Sequence, residues 1–295
     1  MSQYVITCES TVDLSEAHLR ERAVSFACFT FHMDGKEYSD DYGRSMPITD
    51  FYEKLKQGSV STTSQVSIGA YEALWKPFLE EEKDVLHIAL SSGISGSYQA
   101  ACLAAGELRD LYPSRRIVVI DSLSASSGYG LLIDLACDRR DADASIDEVR
   151  NDVLALRHRI NAWFYTSDLT YLCRGGRVSK TAFVLGTALR ICPLLRIDQE
   201  GKLVPAAKYR GKKRTMEACA EKMLERADGG KEYDGYCYIS QSACREDAEA
   251  LKSELERLFP HLQGDHIRIF DIGAVIGSHT GPGTVALFFL GTPKE

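Results

Sequence analysis

The sequence predicts an α/β fold of two domains, an N-terminal doubly wound parallel sheet and a smaller C-terminal domain with a mixed sheet. Two observations carry the prediction. From residue 4 to residue 138 short apolar runs alternate with amphipathic stretches, and parallel strands need such helical crossovers. In the second half, two apolar runs flank the turn DQEGK at residues 198–202, the pattern of an antiparallel hairpin.

Taken in order, residues 4–8 read as a strand and 14–22 as a helix that Asp13 or Ser15 can cap. Residues 24–32 read as one strand, closed by a turn at Asp34 and Gly35. Helices follow at 49–57 and 68–81, then strand 85–90, helix 96–111, strand 116–120 and helix 125–138. This succession is Rossmann-like. The polar run DRRDADAS at 138–145 is either a linker or a solvated turn, with no proline to decide between them. A helix at 146–159 and a strand at 162–166 lead into the second half. We therefore divide the chain into domains at 1–160 and 161–295. The second domain has strands at 194–197, 203–208, 235–240, 266–271 and 284–290, and helices at 213–227 and 243–258.

Composition excludes several function classes. The hydrophobic and charged fractions, 44% and 26%, are those of an ordinary globular protein. A net charge of −7 with pI near 5.6 argues against nucleic acid as a partner, since phosphate neutralisation needs a basic face. No apolar run approaches the ~20 residues of a membrane-spanning helix, and MSQYVITCES has neither the basic start nor the apolar core of a secretory leader. The expected location is cytoplasmic. Nine cysteines without a C-x-x-C pair, and seven histidines without H-E-x-x-H spacing, predict free thiols and no metal site.

The chemistry is concentrated in hydroxyl- and glycine-rich segments next to strands: STTSQVS (61–67), SSGISGSYQ (91–99), DSLSASSGYG (121–130) and SHTGPGT (278–284). Ser95 stands where the helix after strand 85–90 wants its N-cap. Free N–H groups, the positive end of the helix dipole and hydroxyl donors favour an anionic oxygen at such a place. Open parallel sheets bind ligands at the carboxyl ends of their strands. Several such turns therefore predict a cradle for a carboxylate or phosphate.

Enzyme motifs fit poorly. GISGS (93–97) has serine where the nucleophile elbow G-x-S-x-G needs its last glycine. GGRVSKT (175–181) lacks the glycine before lysine of a phosphate-binding loop. GYG (128–130) meets Ile133 where the dinucleotide fingerprint needs glycine or alanine. Glu9, Asp13 and Asp121 lie near strand ends, where capping is their common use. A serine hydrolase using Ser95 with His279 stays open as an alternative, as does a binding protein for another lipid acid.

STVDL (10–14), TSQVS (63–67), SSGISGSYQAA (91–101), DSLSASSGYG, LTYLCRGGRVSK (169–180), CPLLRIDQEGKL (192–203) and HTGPGT (279–284) resemble, in order, the motifs of the DegV family. That resemblance implies a non-enzymatic carrier that holds one long-chain fatty acid between its domains, needs no other cofactor, and presents the acid to a fatty-acid kinase for phosphorylation to acyl phosphate. It implies that Thr63 and Ser95 supply hydroxyls to the carboxylate, with His279 beside them. Ser64, Ser92, Ser122, Ser126 and Thr280 are further candidates at the same mouth. Arg174 and Arg177 match the family's basic turn, which steadies the head group or faces the kinase. The chain departs from the pattern at Cys8 and Glu9, where Thr-Asp is usual, and at Val66, where proline is expected.

A tail of ~15 methylenes at ~0.8 kcal/mol each offers roughly 12 kcal/mol, against an association cost of about 4 to 15 kcal/mol. Tail burial must dominate affinity, so the head group can be held by neutral donors. Residues 164, 172, 183, 184, 185, 188 and 191, mostly aliphatic or aromatic, are the expected tunnel wall.

Overall fold

The computed structural model describes residues 4–178 and 191–295. It is a mixed α/β architecture with a fully parallel sheet, a larger mixed sheet and a small antiparallel sheet.

The parallel sheet contains β1 (Tyr4–Glu9), β2 (Val24–Ala27), β6 (Asp84–Ala89) and β7 (Ile117–Asp121) in the order β2-β1-β6-β7. Its crossovers include α1 (Glu16–Glu21), α3 (Ile68–Glu80) and α4 (Ser97–Leu111), and α5 (Ser127–Asp141) follows β7. The strand order reverses between β1 and β6, so the crevice at their carboxyl ends is the topological switch point where such sheets bind ligands. Ser15, not Asp13, caps α1, accepting a hydrogen bond from the His18 N–H at 3.2 Å.

The segment expected as one strand at 24–32 is two. β2 stays in the parallel sheet, whereas β3 (Thr30–Met33) leaves it after Phe29 and pairs antiparallel with β4 (Lys36–Ser39) and β5 (Ser61–Ser64). The apolar run is continuous through Cys28 and Phe29, so periodicity alone does not mark the break. Helix α2 (Ile48–Lys56) connects β4 to β5. The polar run at 138–145 is no linker. Its first four residues complete α5, and Ser145 caps α6 (Ile146–Leu156) in a reciprocal capping box with Glu148.

The mixed sheet has the order β10-β9-β8-β13-β11-β12, formed by β8 (Ile160–Thr166), β9 (Ile191–Ile197), β10 (Leu203–Arg210), β11 (Cys237–Gln241), β12 (Ile267–Asp271) and β13 (Thr284–Leu290). β9 and β10 form the expected antiparallel hairpin, and β11–β12 is the parallel pair. Alternation in β13 shows what the sheet separates. Val285, Leu287 and Phe289 pack on one side with α8 (Lys212–Arg226) and α9 (Arg245–Leu258), while Ala286 and Phe288 join the core of the parallel sheet on the other. That inner face, the switch-point crevice and the small sheet surround the site.

Candidate functional site

A cavity of about 230 Å³ lies between the carboxyl end of the parallel sheet and the inner face of the mixed sheet. Its walls are mostly apolar and include Phe29, Leu90, Ile94, Phe164, Ile197 and Phe288. All four hydroxyl-rich segments reach it: Thr63, Ser95, Ser126 and the pair His279–Thr280 all line it, together with Arg177. Apolar walls with a few convergent polar groups are the usual make-up of a ligand site.

The segment around Thr63 is strand β5, not the turn expected, and strand alternation decides which hydroxyls face inward. Ser61 is buried and Thr63 half-buried, while Thr62 and Ser64 are exposed. The partner surface is the short helix α10 (Ala274–Thr280), where the sequence predicted a turn. Ser61 Oγ meets Ser278 Oγ at 2.7 Å, and Thr63 Oγ1 meets His279 Nε2 at 2.8 Å.

Burial, reinforced by the charge of Arg177, lowers the His279 imidazole from 6.5 to about 4. It is therefore neutral at pH 7. Its Nδ1 is buried without a hydrogen-bond partner among the described residues. A Cβ added at Gly175 would overlap that Nδ1, so the glycine in CRGGR is what lets the turn close over the imidazole. Arg177, in the same turn, donates Nε–H to the Ile94 carbonyl at 3.1 Å and a second bond to the Gly175 carbonyl. Desolvation lowers its basicity. The turn follows α7 (Thr170–Arg174), which supplies Leu172 to the cavity wall.

Ser95 is not the N-cap of α4. Gly96 occupies that position, and the Ser95 hydroxyl instead accepts from the Ser97 N–H at 3.2 Å. Accepting leaves the hydroxyl its own proton to donate. Gln65, which the sequence reading did not single out, also lines the cavity, and a Cβ at Gly96 would overlap its amide oxygen. Its place two residues after Thr63 was a usable signal. Ser126 is buried at φ 54°, with its hydroxyl engaged by the Asp13 carboxylate and by Ser240 Oγ at 3.0 Å. Thr280 returns its hydroxyl to the Ile276 carbonyl at 3.1 Å.

Four expected members stand apart from the cavity lining. Ser64 is exposed on the far side of β5. Ser92 is held by the Asp121 carboxylate through its N–H and hydroxyl. Ser122 is buried, closing its own turn onto the Ser124 carbonyl at 3.2 Å. Arg174 is exposed, its guanidinium 5.8 Å from the centre of the Tyr171 ring. Of the expected wall, Phe164 and Leu172 line the cavity and Ile191 does not, while residues 183, 184, 185 and 188 lie outside the described residues.

The GISGS turn has a structural reason for its glycine. The DQEGK hairpin turn docks against it: the Ser91 hydroxyl donates to the Gly201 carbonyl at 2.9 Å, and a Cβ at Gly93 would lie 2.6 Å from the Glu200 carbonyl oxygen. A hydrolase needs its serine hydrogen-bonded to a base that an acid orients. Here Nε2 of His279 is bonded to Thr63 and its Nδ1 meets no carboxylate among the described residues. Glu9, fully buried, accepts from Tyr71 Oη at 2.8 Å and from the Leu90 N–H at 2.9 Å, a structural use. Among the described residues there is no His, Cys, Asp and Glu group arranged to hold a metal, and no helix long and apolar enough to cross a membrane.

The fold and site define an α/β protein in which facing sheets enclose a mostly apolar cavity lined also by hydroxyls and an imidazole. The chain belongs to the DegV family: the family model described as "Uncharacterised protein, DegV family" matches residues 3–292. It is 32% identical, over the whole of both chains, to a DegV domain-containing protein of Clostridium perfringens. A DegV family protein from Thermus thermophilus, whose structure is described by its fatty-acid binding, superimposes with a TM-score of 0.86 at 28% identity, covering 99% of this chain and 100% of that one. The Streptococcus pneumoniae Fatty Acid Kinase B3 protein loaded with linoleic acid has the same fold at 21% identity, with a TM-score of 0.84 and coverage of 98% and 99%.

Proposed function

We propose that this protein binds one long-chain fatty acid with its tail in the central cavity and its carboxylate at Thr63, Ser95 and His279, and that it presents the carboxylate to a fatty-acid kinase. The lobes that close on the ligand are residues 1–160 and 161–295. The observation that carries this reading is that hydroxyls from β5 and the β6–α4 turn and a neutral imidazole from α10 line one mostly apolar cavity. The fatty-acid binding of the T. thermophilus relative supports the ligand class.

The chemistry needs no general base. A carboxylate oxygen attacks the γ-phosphorus of ATP, the new P–O bond forms as the bond to the β–γ bridging oxygen breaks, and ADP leaves. No proton moves, and total charge is conserved. What the carrier must do is orient the nucleophile and leave it reactive. Hydroxyl donors and an uncharged imidazole do this without neutralising it, and the half-buried Arg177, whose charge acts on His279, lines the same cavity to meet the charge of the phosphoryl group. Fatty acid, ATP and a fatty-acid kinase should yield acyl phosphate, trapped as hydroxamate, only when this protein is added. Equal hydroxamate with and without it would contradict the carrier role.

A further inference from the structure

Helix α10 brings His279 to the cavity, and its N-terminus is held in an unusual way. Its N-cap is Gly273, which has no side chain to satisfy the free N–H groups of the first turn. Two carboxylates from the other half of the chain supply the acceptors. Asp13 Oδ1 accepts from the Gly273 N–H at 2.9 Å, and Asp40 Oδ1 accepts from the Ala274 N–H at 3.1 Å. An ideal Cβ at Gly273 would stand 3.1 Å from the first oxygen and 3.2 Å from the second, so glycine lets both approach.

The remaining oxygens connect to the cavity residues Ser126 and Phe29, the first directly and the second through Ser10. Asp13 Oδ2 receives the hydroxyl of Ser126. Asp40 Oδ2 receives that of Ser10 at 3.0 Å, whose oxygen in turn accepts from the Phe29 N–H at 3.1 Å. Both aspartates are buried, at 3% and 6% exposure; burial raises both carboxyls above their ordinary range, and the hydrogen bonds they accept offset the cost of burying them. Around them stand Asp41, Asp271, Tyr42, Tyr52, Cys8 and Cys28, all neutral or acidic.

We propose that Asp13 and Asp40 are positioning residues of the head-group site: by clamping the first turn of α10 they hold His279, at its other end, in register with Thr63. Six residues at 1.5 Å rise place the clamp about 9 Å along the helix axis from the His279 backbone. A tilt of the helix there moves His279 against Gly175, where no slack exists. The proposal rests on His279 serving the carboxylate, but its test does not.

The test is carbon NMR of histidine-labelled protein, with the His279 signal assigned by its loss in H279Q. In D13A/D40A, which removes both acceptors, we expect the His279 resonance to shift and its titration midpoint to rise by at least one pH unit, as the ring leaves the buried site that lowers it. An unchanged His279 resonance and midpoint in a folded D13A/D40A protein would overturn the proposal, even if that protein were less stable. Should the double variant not fold, D40A alone is read in the same way, with a smaller shift expected and no shift overturning it. A preparation that passes this test yet binds no fatty acid separates failure of the functional reading from failure of the clamp.

Discussion

Thr63 and His279 lie 216 positions apart and meet at 2.8 Å, one on an edge strand of the small sheet and the other on the last turn of α10. This contact joins two segments that each look unremarkable alone. It also sets the expected consequences of substitution. T63V leaves a buried imidazole nitrogen without its partner, a loss of about 1–3 kcal/mol. Urea denaturation should show that loss for T63V and recover most of it in T63S.

S95A separates binding from presentation. The helix loses one weak acceptor for the Ser97 N–H, and the tail keeps its apolar walls. Fatty-acid affinity should change by less than about threefold, since one neutral hydrogen bond contributes ~1 kcal/mol or less. Acyl-phosphate formation should fall tenfold or more. Equal losses in both would remove Ser95 from the head-group role.

Glycines in the two regions should respond oppositely. G175A places a methyl group onto His279 Nδ1, and displacing a packed imidazole should cost roughly 1–3 kcal/mol and weaken ligand binding. Gly106, inside α4 with open space where a Cβ would stand, should accept alanine with a gain of about 0.5–1 kcal/mol. Thermal unfolding of the two variants reads both signs.

Two buried groups should oppose each other in their pH dependence. His279 titrates in the folded protein at about 4, below its ordinary 6.5. Its contribution is complete above pH 6.5 and is lost as pH falls toward 4. Asp40 is raised by burial from 3.8 to about 6, so its contribution is present below 3.8 and is lost as pH rises through 6. Each amounts to roughly 2–3 kcal/mol between pH 7 and 4.5. Relative to wild type, H279Q should gain stability on acidification over that window and D40N should lose it. Parallel shifts of both variants would contradict the assignment of either environment.

The sequence reveals the α/β class because long elements such as α4 are read as helix by length and spacing, while short apolar runs such as β13 are bounded by turn residues. It conceals the small sheet, since Val24 to Met33 is one apolar run that divides between sheets only through tertiary pairing. The end of α10 reads as a turn because Gly281, Pro282 and Gly283 follow it directly. Motif order points to Thr63, Ser95 and His279, which line one cavity, but it does not show that Ser64 and Ser92 stand apart from that cavity. The facing of a four-residue strand and the capture of Ser92 by Asp121 depend on contacts that spacing does not encode. The buried pair Asp13 and Asp40 had even less signal, as their partners Gly273 and Ala274 lie 260 and 234 residues away.

The central claim is that this cavity holds the tail of a fatty acid, and native mass spectrometry of the purified protein tests it most directly. The account predicts a single adduct with the mass of one long-chain fatty acid, removed by organic extraction and restored one-to-one by adding palmitate or oleate. A protein that stays at its unliganded mass, both as purified and after incubation with those acids, would contradict it.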